Sequence, residues 1–254
     1  MDVCAYCDKS ADLTKEHLIP KWLYNVTKHY DWQTIDRVKN KTIDAEVMIG
    51  DVCANCNNII LGNLDAKAKE LFHKYFENFI EKDHTISFSY DFDLLTRWLL
   101  KLAFNSSRVH KSTQDYFIPY KPYIIGQSNL ALKLALCVYL VFPTEVEGKT
   151  DAERKIYPEA IRFARIQHSD YEQFFDICNL IAINSFYFIL LSPKDKNISA
   201  NKWNELVELF LISNPSAVQL LPQNNQQIIS ASKYSTLDVM KSYLVNNKDR
   251  FTGK

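Results

Sequence analysis

Two short stretches decide how this chain is read: Cys4-Ala5-Tyr6-Cys7 and, further on, Val52-Cys53-Ala54-Asn55-Cys56-Asn57-Asn58. A two-residue spacer lets two sulfurs from one turn reach neighbouring corners of a tetrahedron, so the two pairs together offer four thiolates to one zinc ion. Such a closed site is structural, and its binding free energy substitutes for a core that about 65 residues can hardly build alone. The other two cysteines, Cys137 and Cys178, stand singly in apolar runs and read as core filling. Zinc ligation requires reduced thiols. The opening Met1-Asp2-Val3-Cys4 lacks the basic start and apolar run of a secretory signal, so a cytoplasmic chain is expected.

Outward from the pairs, residues 15–25 read as a loop entering a short apolar segment, and residues 34–38 and 42–49 as strands around a Lys39-Asn40-Lys41 turn. Helical periodicity follows over residues 66–82 and again over 92–107, where Leu95, Leu99, Leu102 and Phe104 face a core. Arg97, Lys101 and Arg108 recur at helical intervals and are read as partly outward, a face on which phosphates could be tracked. Beyond residue 125 the chain turns to strands rich in Ile, Val, Phe and Tyr at 131–142, 159–167, 177–184 and 186–192. The last two are joined through Asn184-Ser185 as an antiparallel hairpin. A helix at 201–213, a strand near 217–221 and a helix at 236–245 complete an α+β fold. The expected organisation is a zinc-stapled unit at 1–84, a helical connector at 85–125 and an antiparallel-sheet α+β domain at 126–254, whose role the sequence does not assign.

Composition narrows the function. With 254 residues, 47% hydrophobic and 24% charged, the chain has the makings of a folded core. No apolar run approaches the roughly 18 residues of a membrane span, so no membrane partner is expected. Thirty basic side chains cancel thirty acidic ones, which removes the global positive field of non-specific nucleic-acid binders and leaves only local patches. The balance is uneven along the chain: residues 1–66 carry seven Lys/Arg against ten Asp/Glu, and residues 67–125 nine against seven. Only five glycines are present and no glycine-rich phosphate loop, which argues against a nucleotide-cofactor enzyme.

Between and after the cysteine pairs lie Glu16-His17-Leu18-Ile19-Pro20 and Leu61-Gly62-Asn63-Leu64-Asp65. Taken with the pairs and Asn57, this string resembles the HNH endonucleases, whose core is a zinc-stapled ββα-metal (treble-clef) unit; the likeness covers about the first quarter of the chain. The resemblance implies a metal-dependent endonuclease that hydrolyses phosphodiester bonds in nucleic acid, in DNA before RNA, in a phage, mobile-element or antiviral setting. It also implies the roles. Glu16 and Asn57 would hold a catalytic Mg²⁺ or Mn²⁺, with Asn58 as the fallback for Asn57, and His17 would take the proton from the attacking water. Histidine suits that task because it exchanges protons near neutral pH. Lys15 and Lys21 flank the histidine and are the candidate phosphate contacts.

The chain departs from the family pattern in two respects: 45 residues separate Cys7 from Cys53, and Glu replaces the commoner Asp before the histidine. The residue that orients the histidine stays unassigned, since Asn40 falls in the expected turn. Trp22, Tyr24, Tyr30 and Trp32 read as packing residues that could alternatively stack on bases. His29, His73, His84, His110 and His168 have no partner in the sequence pattern. The competing reading is a non-catalytic treble-clef zinc module that binds nucleic acid or a partner protein, and the C-terminal domain is the candidate surface for a partner protein or a homodimer.

Overall fold

In the N-terminal part of this computed structural model, a cysteine knuckle, a strand pair and a helix follow one another. The structure describes residues 2–26, 34–36, 41–43, 46–110, 113–130, 132–146, 154–158, 160–166, 169–239 and 241. The knuckle closes through the Val3–Ser10 bridge, with Asp8 at φ 57° supplying the reversal. Strand β1 (Leu13–His17) pairs antiparallel with β4 (Met48–Cys53), and α1 (Lys21–Val26) branches off after Pro20. Residues 15–17, expected in a loop, therefore form strand. Thr14 lies opposite Val52 and Glu16 opposite Ile49, so β4 holds one extra residue in a bulge at Gly50–Asp51. The expected hairpin survives as the short pair β2 (Thr34–Asp36) and β3 (Lys41–Ile43), but residues 48–49 belong to β4 instead. Arg37, Lys39, Asn40, His29, Tyr30, Trp32 and His168 lie outside the described residues.

The helix after β4 begins eleven residues earlier than its periodicity suggests. It runs as wide π-type turns at Asn55–Leu61, as α2 (Gly62–Leu71), and as a second π segment at Phe72–Phe76. Strand β5 (Thr85–Ser89) leads into α3 (Phe92–His110), a 3-10 segment (Gln114–Tyr120) and α4 (Lys121–Ile124). At the turn leaving α4, Gly126 sits at φ 73°, and a Cβ there would lie 2.8 Å from the Arg97 guanidinium, so this turn requires glycine.

The C-terminal part is built on β6 (Ala135–Phe142), β9 (Ile161–Arg165), β10 (Phe175–Ile183), β11 (Phe186–Pro193) and β12 (Val218–Leu220). They form an antiparallel sheet in the order β12-β6-β11-β10-β9, with β14 (Tyr234–Ser235) parallel to β6. A small pair, β7 (Thr144–Val146) and β8 (Arg154–Ile156), lies beside it, and α5 (Ser169–Glu172) precedes β10. Alternate side chains go to opposite faces. Leu136, Val138, Phe186, Phe188 and Leu190 face the N-terminal helices, while Cys137, Cys178, Ile189 and Leu191 meet Trp203, Leu206 and Phe210 of α6 (Ala200–Ser213). Being buried on both faces, β11 is apolar throughout rather than alternating. Burial pushes the Cys137 and Cys178 thiols up to about 12, as befits inert core residues. The closing helix expected at 236–245 is described only as far as residue 239 and at residue 241.

The three expected segments share one core. Strand β5 pairs with β13 (Gln226–Ser230), and Phe76 meets Phe186 and Phe188 with ring centroids 4.6 and 5.4 Å apart. Asn184, in the β10–β11 turn, donates from Nδ2 to the carbonyls of Phe76 (2.7 Å) and Glu77 (3.0 Å), so the sheet's hairpin caps the end of the long N-terminal helix. Among the described residues no helix is long and apolar enough to cross a membrane.

Candidate functional site

Cys4, Cys7, Cys53 and Cys56 converge from the knuckle, the end of β4 and the first turn of the helix, and their sulfurs all lie within 4.8 Å of one another. Of the four, Cys7 alone is more than marginally exposed. Burial opposes ionisation of Cys4, but N–H groups of Cys53, Cys7 and Tyr6 directed at its sulfur prevail and hold its thiol down at about 7; the Cys53 N–H lies 3.3 Å away. Cys56 is driven the other way, upward, by burial and by the sulfurs of Cys53 and Cys7. Four crowded thiols cannot all ionise without a cation among them, and a divalent ion removes that conflict. The four cysteines can therefore hold a metal ion such as zinc.

Strand alternation sends Glu16 and His17 to opposite sides of β1. Glu16 turns inward, 5% exposed, with its Oε1 2.8 Å from Lys101 Nζ of α3. Lys101 is fully buried and also meets Asp65 of α2 at 2.5 Å, and Asp65 accepts a second bond from Trp98 Nε1 at 3.1 Å. Glu16, expected to ligate Mg²⁺, thus meets an ammonium at its Oε1. The expected outward face of α3 is corrected. Lys101 and Arg108 point inward, Arg108 bonding Asp51, while Arg97 Nε donates to the Ile124 carbonyl.

His17 faces the other way. Its side chain is a quarter exposed, and Nε2 lies 3.2 Å from Glu46 Oε2, with the Tyr24 ring 6.4 Å off. From behind, Asn105 of α3 donates from Nδ2 to the carbonyls of His17 (3.2 Å) and Leu18 (3.3 Å). The oxygen of Asn105 accepts from Tyr6 OH at 2.6 Å and from Arg108 Nη2 at 2.5 Å, and the Arg108 guanidinium covers the Tyr6 and Phe104 rings. Since Tyr6 sits between two of the metal-competent cysteines, a buried polar chain joins the knuckle to the backbone of His17. The sequence reading missed both Glu46 and Asn105. Glu46 becomes visible only when His17 is known to lie opposite Met48. Asn105 had a signal, because positions 101, 105 and 108 share one helical face.

Asn57 touches β1 two and three residues before His17: its Nδ2 donates to the Lys15 carbonyl (3.0 Å) and to Thr14 Oγ1 (2.8 Å), leaving the amide oxygen as what it can offer a cation. Asn58 lies one position further round the helix and is exposed, as are Lys15 and Lys21. A cleft of about 610 Å³ opens on Cys7, Cys53 and Cys56, and neither His17 nor Asn57 lines it. Trp22 packs on Phe72 and stacks on Trp98 with centroids 6.3 Å apart, against the helices. Comparisons with protein-family models, with curated proteins and with solved structures found no match in any of the three.

Proposed function

We propose that this chain is a nuclease of the HNH type, a hydrolase of phosphodiester bonds in nucleic acid and in DNA by preference, with a treble-clef core stapled by structural zinc. What carries the reading is His17, held at the exposed end of a hairpin strand with its imidazole on the Glu46 carboxylate and its backbone clamped by Asn105. The order knuckle, strand pair, helix, with Asn57 bonded to the histidine's strand, agrees with the resemblance in the sequence.

In this arrangement Nε2–H of His17 donates to Glu46, which leaves Nδ1 to take a proton from water. The resulting hydroxide attacks phosphorus as the P–O bond to the leaving oxygen breaks, the leaving oxygen takes a proton from water, and Glu46 steadies the imidazolium until it returns its own proton to solvent. A four-thiolate zinc has no open position and holds the scaffold without touching water. Lys15 and Lys21 would contact phosphates on either side of the histidine. The divalent ion implied by the resemblance would have to share Glu16 with the buried Lys101 ammonium on its Oε1, so no step is assigned to it. A partner protein or a second copy, meeting the C-terminal part, would supply affinity that a chain of zero net charge lacks.

A second reading, a zinc module that binds nucleic acid or a partner without cutting, is favoured by that same Glu16–Lys101 pair. Zinc-loaded protein incubated with supercoiled, linear and single-stranded DNA and with RNA, with Mg²⁺, with Mn²⁺ and with neither, separates the two. We expect cleavage that falls by about 10²- to 10⁴-fold in His17→Ala at unchanged melting temperature. Binding without cleavage under every condition would leave the module reading standing.

A further inference from the structure

We propose that Lys101 is the resident cation of the Glu16–Asp65 carboxylate pair, so that the place the resemblance gives to a divalent ion at Glu16 is filled by the chain's own ammonium. The consequence for catalysis, that hydrolysis at His17 proceeds with no ion on Glu16, rests on the proposed function; the occupancy itself does not.

Three elements meet at this point. Glu16 comes from β1, Asp65 from α2 and Lys101 from α3, and Lys101 Nζ lies 2.8 Å from the first carboxylate and 2.5 Å from the second. Lys101 is wholly buried, and the Glu16 and Asp65 side chains are 7% and 17% exposed. Burial by itself would strip the proton from Lys101, but Asp65 and Glu16 outweigh it and hold the ammonium above the usual lysine range. Both Asp65 oxygens are engaged, one by Lys101 and one by Trp98. A Mg²⁺ ion binds oxygens at about 2.0–2.1 Å and keeps most of its water. To reach Glu16 Oε1 it would have to displace Lys101, which would then keep Asp65 as its only carboxylate partner.

The charge count makes the two ends of the pair unequal. Two carboxylates share one ammonium, so the cluster carries a net negative charge in the core, and burial raises the Asp65 carboxyl above its ordinary value. Glu16→Gln leaves a neutral Lys101–Asp65 pair with a side chain that still accepts a hydrogen bond. Lys101→Met leaves two buried carboxylates with no cation.

The test is Mn²⁺ uptake by the zinc-loaded full chain, read from the free-ion electron paramagnetic resonance signal, together with thermal melts. Wild type and Glu16→Gln should take up Mn²⁺ to the same extent, within about twofold, as expected when the substituted carboxylate is not a ligand. Glu16→Gln should melt near wild type, Lys101→Met far below it, and the double variant between them because the two sites are coupled. Tight Mn²⁺ binding by wild type that drops about tenfold or more in Glu16→Gln, the loss expected of a first ligand, would overturn the proposal. If Lys101→Met does not fold, the Glu16→Gln comparison decides alone. Because no substrate is present, a chain that never cuts nucleic acid but shows Glu16-independent Mn²⁺ uptake sinks the hydrolase reading and leaves this inference intact.

Discussion

Asn105 uses its whole amide: the nitrogen serves the carbonyls of His17 and Leu18, and the oxygen is shared by Tyr6 and Arg108. Truncation to Ala orphans buried groups on both sides, and each buried polar group without a partner costs about 1–3 kcal/mol. Asn105→Ala should therefore lose about 2–4 kcal/mol in urea unfolding, and the His17 imidazole resonances should shift as its backbone anchor goes. Asn105→Asp keeps the acceptor but removes the donor; a variant that unfolds like wild type with unmoved His17 resonances would contradict the anchoring role. At this scale the sequence was half legible. Spacing alone identified the four cysteines, because ligand geometry is local. It could not identify Glu46 as the partner of His17, because that contact depends on which strands pair, nor tell that Lys101 and Arg108 turn inward, because a basic residue on a helix is ordinarily solvated.

At the scale of elements, hydrophobic patterning found the sheet strands and both long helices, since burial on one face or two leaves its mark on composition. It missed β5 and β13, which pair with each other, and β1, whose sequence Leu-Thr-Lys-Glu-His is mostly polar and whose burial falls on a charged residue, Glu16. It also placed the start of the helix after β4 too late, because the first turns carry Cys56 and Asn57, chosen for ligation and stapling rather than for an apolar stripe. The Asn184-Ser185 turn is legible as a hairpin, but its second task is not: Asn184 holds φ 49° and caps the helix ending at Phe76. Asn184→Ala loses both bonds and strains the left-handed backbone, for a cost of about 2–3 kcal/mol. Asn184→Gly keeps the conformation and should recover about 1 kcal/mol of that. Equal destabilisation of the two variants in chemical denaturation would show that the backbone conformation contributes nothing.

For the molecule as a whole, the uneven charge between segments finds its partner inside the chain. Lys101, Arg108 and Lys121 of the connector are buried against Glu16 and Asp65, Asp51, and Asp8 of the acidic N-terminal segment. The asymmetry is legible in the sequence; that Lys101, Arg108 and Lys121 meet these acids inside the chain is not. A fragment of residues 1–84 loaded with zinc strands those acids and exposes the faces of Phe72 and Phe76, so it should give the poorly dispersed amide spectrum of an unfolded chain; a well-dispersed one would show that the unit is independent. Alkaline pH probes the shared core. Burial raises Tyr123 and Tyr139 well above their ordinary value and Tyr120 to about 12. A folded-state value raised above the unfolded one gives stability that is complete below about pH 10 and is lost as pH climbs through the raised values, so phenolate absorbance from these three should appear only with unfolding. Everything else depends on the sulfur cluster that ties knuckle, strand end and helix start together. X-ray absorption at the zinc edge, with metal counted per chain, tests it most directly. One zinc with four sulfurs at about 2.3 Å is expected, with collapse of the fold when a chelator removes it. A fold that persists without metal, or a first shell of nitrogen and oxygen, would contradict it.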